Sequence, residues 1–340
     1  MTPDGIGAFV AALPKAELHL HLVGSAASQT VLELARRHPD GGVPTDPAAL
    51  AEFYEFTGFR HFLDVYRAVN LLVRTGADVV ALLDGLAAQL AASRARYAEV
   101  QVTPVRNRMS GIGYDDLAQA LADGRTRARE RCGVELAWIF DADAALALPG
   151  AQETLDFAVR YRPPGTVGIG LGGVENGLPR SGFAPVFRAA RDAGLHSVPH
   201  AGETVGPAEV WSAVRDLGAE RIGHGIGAAA DPALLDHLAA ANIALEVCPT
   251  SNVCTGAVPG LDRHPLPTLL AAGVPVTLAT DDPGMFHTDL NREYLLAHER
   301  FGLNAAALAG LARTSARAAF CPPGVRDALL AEIDQVPLPS

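Results

Sequence analysis

Seven ionisable residues recur in short motifs along the chain: His19 and His21 in ELHLHL, His200 and Glu203 in HAGE, His224 in RIGHG, and Asp281 and Asp282 in TDDP. Side chains two apart on a strand share a face, so His19 and His21 can offer two imidazoles to one ion. His200 adds a third nitrogen and Asp281 an anionic oxygen, a donor set suited to zinc with a water completing the coordination. Taken singly, each has an ordinary explanation. A strand-end histidine is often only hydrogen-bonded, an H-x-H pair arises by chance, and adjacent aspartates often cap a helix. An apolar interior, however, gains nothing from burying seven such groups unpaired, and a metal resolves that cost.

The elements that must position them are legible as eight β-like runs, at 16–22, 96–104, 134–143, 166–173, 196–203, 221–225, 243–251 and 274–282. Ala/Leu-rich segments with helical spacing lie between them, such as 78–95, 115–131, 181–193, 207–217, 231–241 and 264–272. Strands alternating with helices imply parallel pairing, and eight of them predict a closed (β/α)8 (TIM) barrel. An open doubly wound sheet is the alternative, but no G-x-G-x-x-G opens a helix after the first strand. Barrel enzymes build their sites at strand C-terminal ends, where all seven residues fall. The connection 23–95 is too long for one helix. Within it FYEFTGFRHFLDVYRAV places Phe53, Phe56, Phe59, Phe62, Leu63 and Tyr66 at helical spacing. That pattern reads either as an amphipathic helix burying an ordinary core face or as a lid, with Phe59, Phe62 and Leu63 roofing a pocket. The expectation is one domain over 1–340, with a helical lid insertion at 23–75 and C-terminal helices over 303–340.

The chain has 340 residues, 49% of them hydrophobic, and a net charge of -11 from 27 basic and 38 acidic residues. An acidic body without a basic stripe argues against nucleic acid or an anionic membrane and for a small-molecule ligand. Cys132, Cys248, Cys254 and Cys321 show no C-x-x-C pairing and read as reduced thiols. The N-terminus lacks a cationic start followed by an apolar segment, and no membrane-length apolar run follows, so a soluble cytoplasmic protein is expected. Lys15 is the only lysine.

The motifs PKAELHLHLVGS, GLGGVE, HAGET, RIGHG, CPTSN and TDDPGMFHTDL, in this order over Pro14 to about Leu290, resemble the adenosine deaminase family, a metal-dependent barrel branch of the amidohydrolases. The resemblance implies that His19, His21, His200 and Asp281 hold one Zn²⁺. A second ion in such barrels commonly needs a modified lysine on a middle strand, which this chain lacks. It further implies that Glu203 donates a proton to purine N1 and that His224 and Asp282 orient and deprotonate the attacking water. Asp282 would also lie near N7, and the backbone N–H of Gly173 would meet N3. The implied partner is an adenine nucleoside, and His21 would contact it as well as the ion.

Departures from the family's motifs bear on the substrate. HLVGS replaces the more usual HLDGS, so Val23 stands where an aspartate would accept the ribose 5'-hydroxyl. An unpaired buried hydroxyl there would cost on the order of 1–3 kcal/mol. GIGLGGVE replaces GIDLAGDE, and Gly170 and Gly172 are expected to open space at the sugar. This pattern resembles the branch acting on a 5'-extended adenine nucleoside, 6-amino-6-deoxyfutalosine, on the futalosine route to menaquinone. Its benzoate calls for a cation at the pocket mouth, with Arg106 and Arg108 as candidates. Adenosine or 2'-deoxyadenosine is the competing substrate, followed by free adenine and by a non-catalytic binding role. The reading assigns no task to His287.

Overall fold

A computed structural model describes residues 3–339. Its eight strands are β1 (Lys15–His21), β2 (Ala95–Val102), β3 (Glu135–Asp143), β4 (Thr166–Gly172), β5 (His196–Ala201), β6 (Arg221–His224), β7 (Ala244–Val247) and β8 (Val276–Leu278). They pair in parallel in sequence order. The ring closes where the β8 extension meets β1: His21 N–H donates to Asp281 O at 2.9 Å and Asp281 N–H to His19 O at 3.0 Å. The result is the TIM barrel expected from the alternation of runs.

On β1, apolar Ala16, Leu18 and Leu20 alternate with Lys15, Glu17, His19 and His21. Register shifts within β1 break this alternation: His19 and His21 point into the barrel, where His19 meets Glu246 of β7, whereas Glu17 faces the surrounding helices and accepts from Thr280 N–H, and the apolar residues join the hydrophobic core. At the N-terminal end, the Lys15 ammonium donates to the carbonyls of Val10, Leu13 and Ser93 at 2.6, 2.7 and 3.1 Å. Arg221 bridges Glu99 and Glu246 inside the barrel and also donates to Ala318 O at 2.8 Å, tying the C-terminal segment to the same network.

Helix α1 (Pro3–Ala12) precedes β1, and α2 (Ser28–Arg37), α3 (Pro47–Phe53), α4 (Phe59–Asn70) and α5 (Gly76–Ala92) fill the long β1–β2 connection. The aromatic run is not one helix. It breaks between Phe53 and Phe59, where Gly58 takes φ 142°, a conformation that glycine supplies without strain. The runs 243–251 and 274–282 also contain shorter strands than their composition suggests. Pro249 starts a helix, Pro249–Cys254, because its fixed φ suits the first helical turn, and Asp281 at φ 65° turns the chain after β8. Helix α6 (Pro104–Met109) follows β2. Among the described residues no helix is long and apolar enough to cross a membrane.

Candidate metal and catalytic site

His19 and His21 share the inner face of β1, His200 is the penultimate residue of β5, and Asp281 follows β8, so all four meet at the C-terminal rim. His21 Nε2 lies 3.2 Å from His200 Nε2 and 3.3 Å from Asp281 Oδ1, and His19 Nε2 lies 3.5 Å from the same oxygen. Donors bound at roughly 2.1 Å in a tetrahedral arrangement are separated by about 3.4 Å. The spacing therefore fits a shared metal ion, as does the fact that buried His19 Nε2 and Asp281 Oδ1 have no hydrogen-bond partner.

The reverse sides of these ligands are held. His19 Nδ1 lies 2.7 Å from Glu246 Oε2, with Gln101 beside it at 3.0 Å. Asp281 Oδ2 accepts from Ser251 Oγ at 2.6 Å. Burial alone would raise the Asp281 carboxyl, but the His19 and His21 rings close beside it hold it well below the ordinary range. Asp281 and His224 are both left-handed, at φ 65° and 57°. Non-glycine residues rarely adopt this conformation, and here it turns two strand-end side chains onto the site.

Glu203 is buried, and burial, then the Asp281 charge, push its carboxyl well above the usual range. Its loop is held from behind by Glu175, which accepts the backbone N–H groups of Gly202, Glu203 and Thr204 at 2.6, 3.0 and 2.8 Å. His224 Nε2 lies 3.8 Å from Glu203 Oε2 and 3.7 Å from Asp281 Oδ2. A relay fixes its tautomer. Leu266 N–H donates to His264 Nδ1 at 3.1 Å, so His264 Nε2 donates to Asn252 Oδ1 at 3.1 Å, and the Asn252 amide donates to His224 Nδ1 at 3.1 Å. His224 therefore presents an Nε2–H to the site, and burial lowers its pKa to about 3, keeping the ring neutral. Asp282 Oδ1 is buried without a partner, and burial together with Asp281 raises its carboxyl. It sits over Gly24, where a Cβ would come within 1.6 Å of Asp282 Oδ1.

These residues floor a cavity of about 290 Å³. Phe59, Phe62, Leu63 and Tyr66 of α4 roof it, and Gly173, at φ 85°, is on its wall. Val23 is not on that wall but within the hydrophobic core. Arg106 lines the outer end, its Nε 2.8 Å from Asp143 Oδ2. Arg108 instead pairs with Glu153 at 2.6 Å, outside the cavity. His287 is also outside it; its carbonyl accepts from Arg292 at 2.6 Å. Gly170 does not open space for a sugar, because the Asp141 carboxylate fills the space above it, whereas Gly172 lines the cavity with Asp141 beside it. Sequence reasoning missed Glu246, Asp141, Glu175, Ser251 and the His264–Asn252 relay. A glutamate inside the apolar run IALEV, and the acid ending the quoted GLGGVE, were the available signals.

A parallel barrel with a metal-suited cluster at its mouth defines the class. Within it, the family model described as adenosine deaminase matches residues 14–336. The chain belongs to the adenosine deaminase family. It is 50% identical to the aminodeoxyfutalosine deaminase of Streptomyces avermitilis over 98% of this chain and 94% of that one. The crystal structure of an adenine deaminase from Arthrobacter aurescens superposes with a TM-score of 0.91 at 31% identity, covering 95% of this chain and 99% of that one. A zinc-bound amidohydrolase from Burkholderia ambifaria gives a TM-score of 0.89 at 27% identity, covering 99% and 94%.

Proposed function

We propose that this chain is a hydrolytic deaminase that exchanges the 6-amino group of an adenine nucleoside for oxygen and releases ammonia, with 6-amino-6-deoxyfutalosine as substrate. The observation that carries the reaction class is the convergence of His19, His21, His200 and Asp281, at 3.2 to 3.5 Å along the measured edges, beside a buried Glu203. These four would hold one divalent ion, taken to be zinc by analogy with the Burkholderia protein. Bound there, zinc would supply a water acidified to a pKa of about 7.

The remaining work belongs to the chain. Glu203, kept protonated by burial, would give its proton to purine N1 and leave C6 electron-poor. The His224 Nε2–H would hold the incoming oxygen, and Asp282, whose Oδ1 is buried without a partner, would take the proton that this oxygen loses and pass it to the amine as it departs as ammonia. The N–H of Gly173 would meet N3, and the aromatic roof of α4 would exclude bulk water. Residues 23–75 would thus serve as a lid within a single catalytic domain.

The substrate reading rests on the 50% identical relative and on the shape of the cavity. The cavity continues past the purine end to Arg67, Leu71, Arg106 and Met109. Leu71 and Met109 are 48% and 53% exposed, so this mouth is apolar, with Arg67 and the Asp143-paired Arg106 at its rim, and suits an extended 5' end whose carboxylate would compete with Asp143 for Arg106. Ammonia release should be fastest from aminodeoxyfutalosine, compared with adenosine, methylthioadenosine and adenine. A preference for adenosine or methylthioadenosine would remove the substrate claim. A preference for adenine would favour the second reading, to which the Arthrobacter likeness points.

A further inference from the structure

We infer that Asp141 is a positioning residue for His21, delivered from β3 into a place that β4 vacates by carrying glycine. Asp141 pairs in register with Gly170 across the β3–β4 ladder. A Cβ on Gly170 would stand 1.8 Å from Asp141 Oδ1, and one on Gly172 3.0 Å from Oδ2. Neither glycine has a positive φ, so backbone conformation does not require them. Glycine inside a strand weakens it by roughly 0.5–1 kcal/mol per residue, and what the pair permits here is the seating of one carboxylate.

That carboxylate faces a ring that has a free edge. His21 turns Nε2 toward His200 and Asp281 and Nδ1 toward Asp141 Oδ2, 3.7 Å away. At this distance the contact is electrostatic rather than a hydrogen bond. A buried anion behind Nδ1 favours the tautomer that carries its proton there and leaves the Nε2 lone pair for an ion. His19 has the same arrangement, with Glu246 behind its Nδ1 at 2.7 Å. Each β1 histidine is thus backed by a carboxylate, one from β7 and one from β3. In the motif from which GIGLGG departs, an aspartate occupies position 170. Here the acid stands one strand over and reaches the same spot.

The inference rests on His21 being a metal ligand, and the test separates the two claims. Zinc dissociation constants are measured by chelator competition for the wild type, His21→Ala, Asp141→Ala, Gly170→Ala and the double variant Asp141→Gly/Gly170→Asp, with circular dichroism confirming the fold. Asp141→Ala and Gly170→Ala should each weaken zinc by roughly 10- to 100-fold. The double variant, which returns a carboxylate to the same place from β4, should recover most of that loss. Recovery is the readout that a merely structural role would not give. If His21→Ala weakens zinc and Asp141→Ala leaves it unchanged, the positioning role is refuted while the ligand assignment stands. If His21→Ala itself leaves zinc unchanged, the ligand assignment fails. If the double variant does not fold, Asp141→Ala alone decides.

Discussion

Glu246→Gln gives the sharpest test of how the cluster is held. Both oxygens of Glu246 are engaged inside the barrel, Oε2 with His19 Nδ1 at 2.7 Å and Oε1 with Arg221 Nε at 2.6 Å, and neither side chain of the His19–Glu246 pair is exposed. Burial alone would raise the Glu246 carboxyl, but Arg221 and His19 hold it below the ordinary range. A glutamine has one acceptor oxygen, so its NH₂ group must face either Arg221 or the His19 N–H, donor against donor. It also leaves Arg221 with Glu99 as its remaining anion. Removing one member of a buried ion pair costs about 3–5 kcal/mol. With an unfolding entropy near 2.1 cal/mol/K per residue, a chain of 340 residues should lose roughly 4–7 °C in Tm. Zinc affinity should fall about 10- to 100-fold, because the ring of His19 loses its anchor. Differential scanning calorimetry and chelator competition measure the two effects separately. A lowered Tm with unchanged zinc affinity would show that Glu246 only balances Arg221, and the reasoning about His19 would be wrong.

Three other outcomes follow from the same geometry. Glu203→Gln should retain bound zinc and lose roughly 10²- to 10⁴-fold in kcat, as expected for removal of a general acid; near-wild-type turnover in a steady-state assay would overturn its role. Gly24→Ala should cost roughly a hundredfold in kcat with little change in Tm, since a Cβ 1.6 Å from Asp282 Oδ1 must displace that carboxylate. Burial pushes the Glu293 carboxyl up to about 7, so the folded chain keeps a proton that the unfolded chain releases above about pH 4.5. The associated stability, about 3 kcal/mol, is present below that pH and lost as pH rises toward 7. Glu293→Gln should flatten the dependence of Tm on pH over this window, and an unaltered slope would contradict the assignment.

The barrel was legible because apolar runs and helical periods alternate eight times, and because short motifs put ionisable residues at the ends of those runs. His19 and His21 declared their common face by spacing alone. What the sequence hid depends on contacts across strands. The carboxylate behind His21 comes from β3, and only the register of β3 against β4 reveals that Gly170 exists to admit it. Gly170 therefore reads as open space when it is occupied, while Gly172 does line the cavity. The relay from Leu266 to His224 crosses three separate segments and has no periodic signature. Val23 was readable as a departure but not as a core residue, because its position relative to the cavity depends on how the chain turns between His21 and Gly24. The aromatic run looked continuous because helical spacing persists across the non-helical stretch 54–58, which ends at Gly58 and separates α3 from α4.

Lys15 is the chain's only lysine, and its ammonium is satisfied by three carbonyls from the end of α1 and the end of α5, at the N-terminal rim of the barrel. A lysine-specific protease therefore has a single target, and that buried bond becomes accessible when the start of β1 opens. Loss of β1 removes His19 and His21 along with it, so cutting at this one place reports the opening that also dismantles the cluster. The molecule carries its own proteolytic clock, readable by mass as the release of one short peptide.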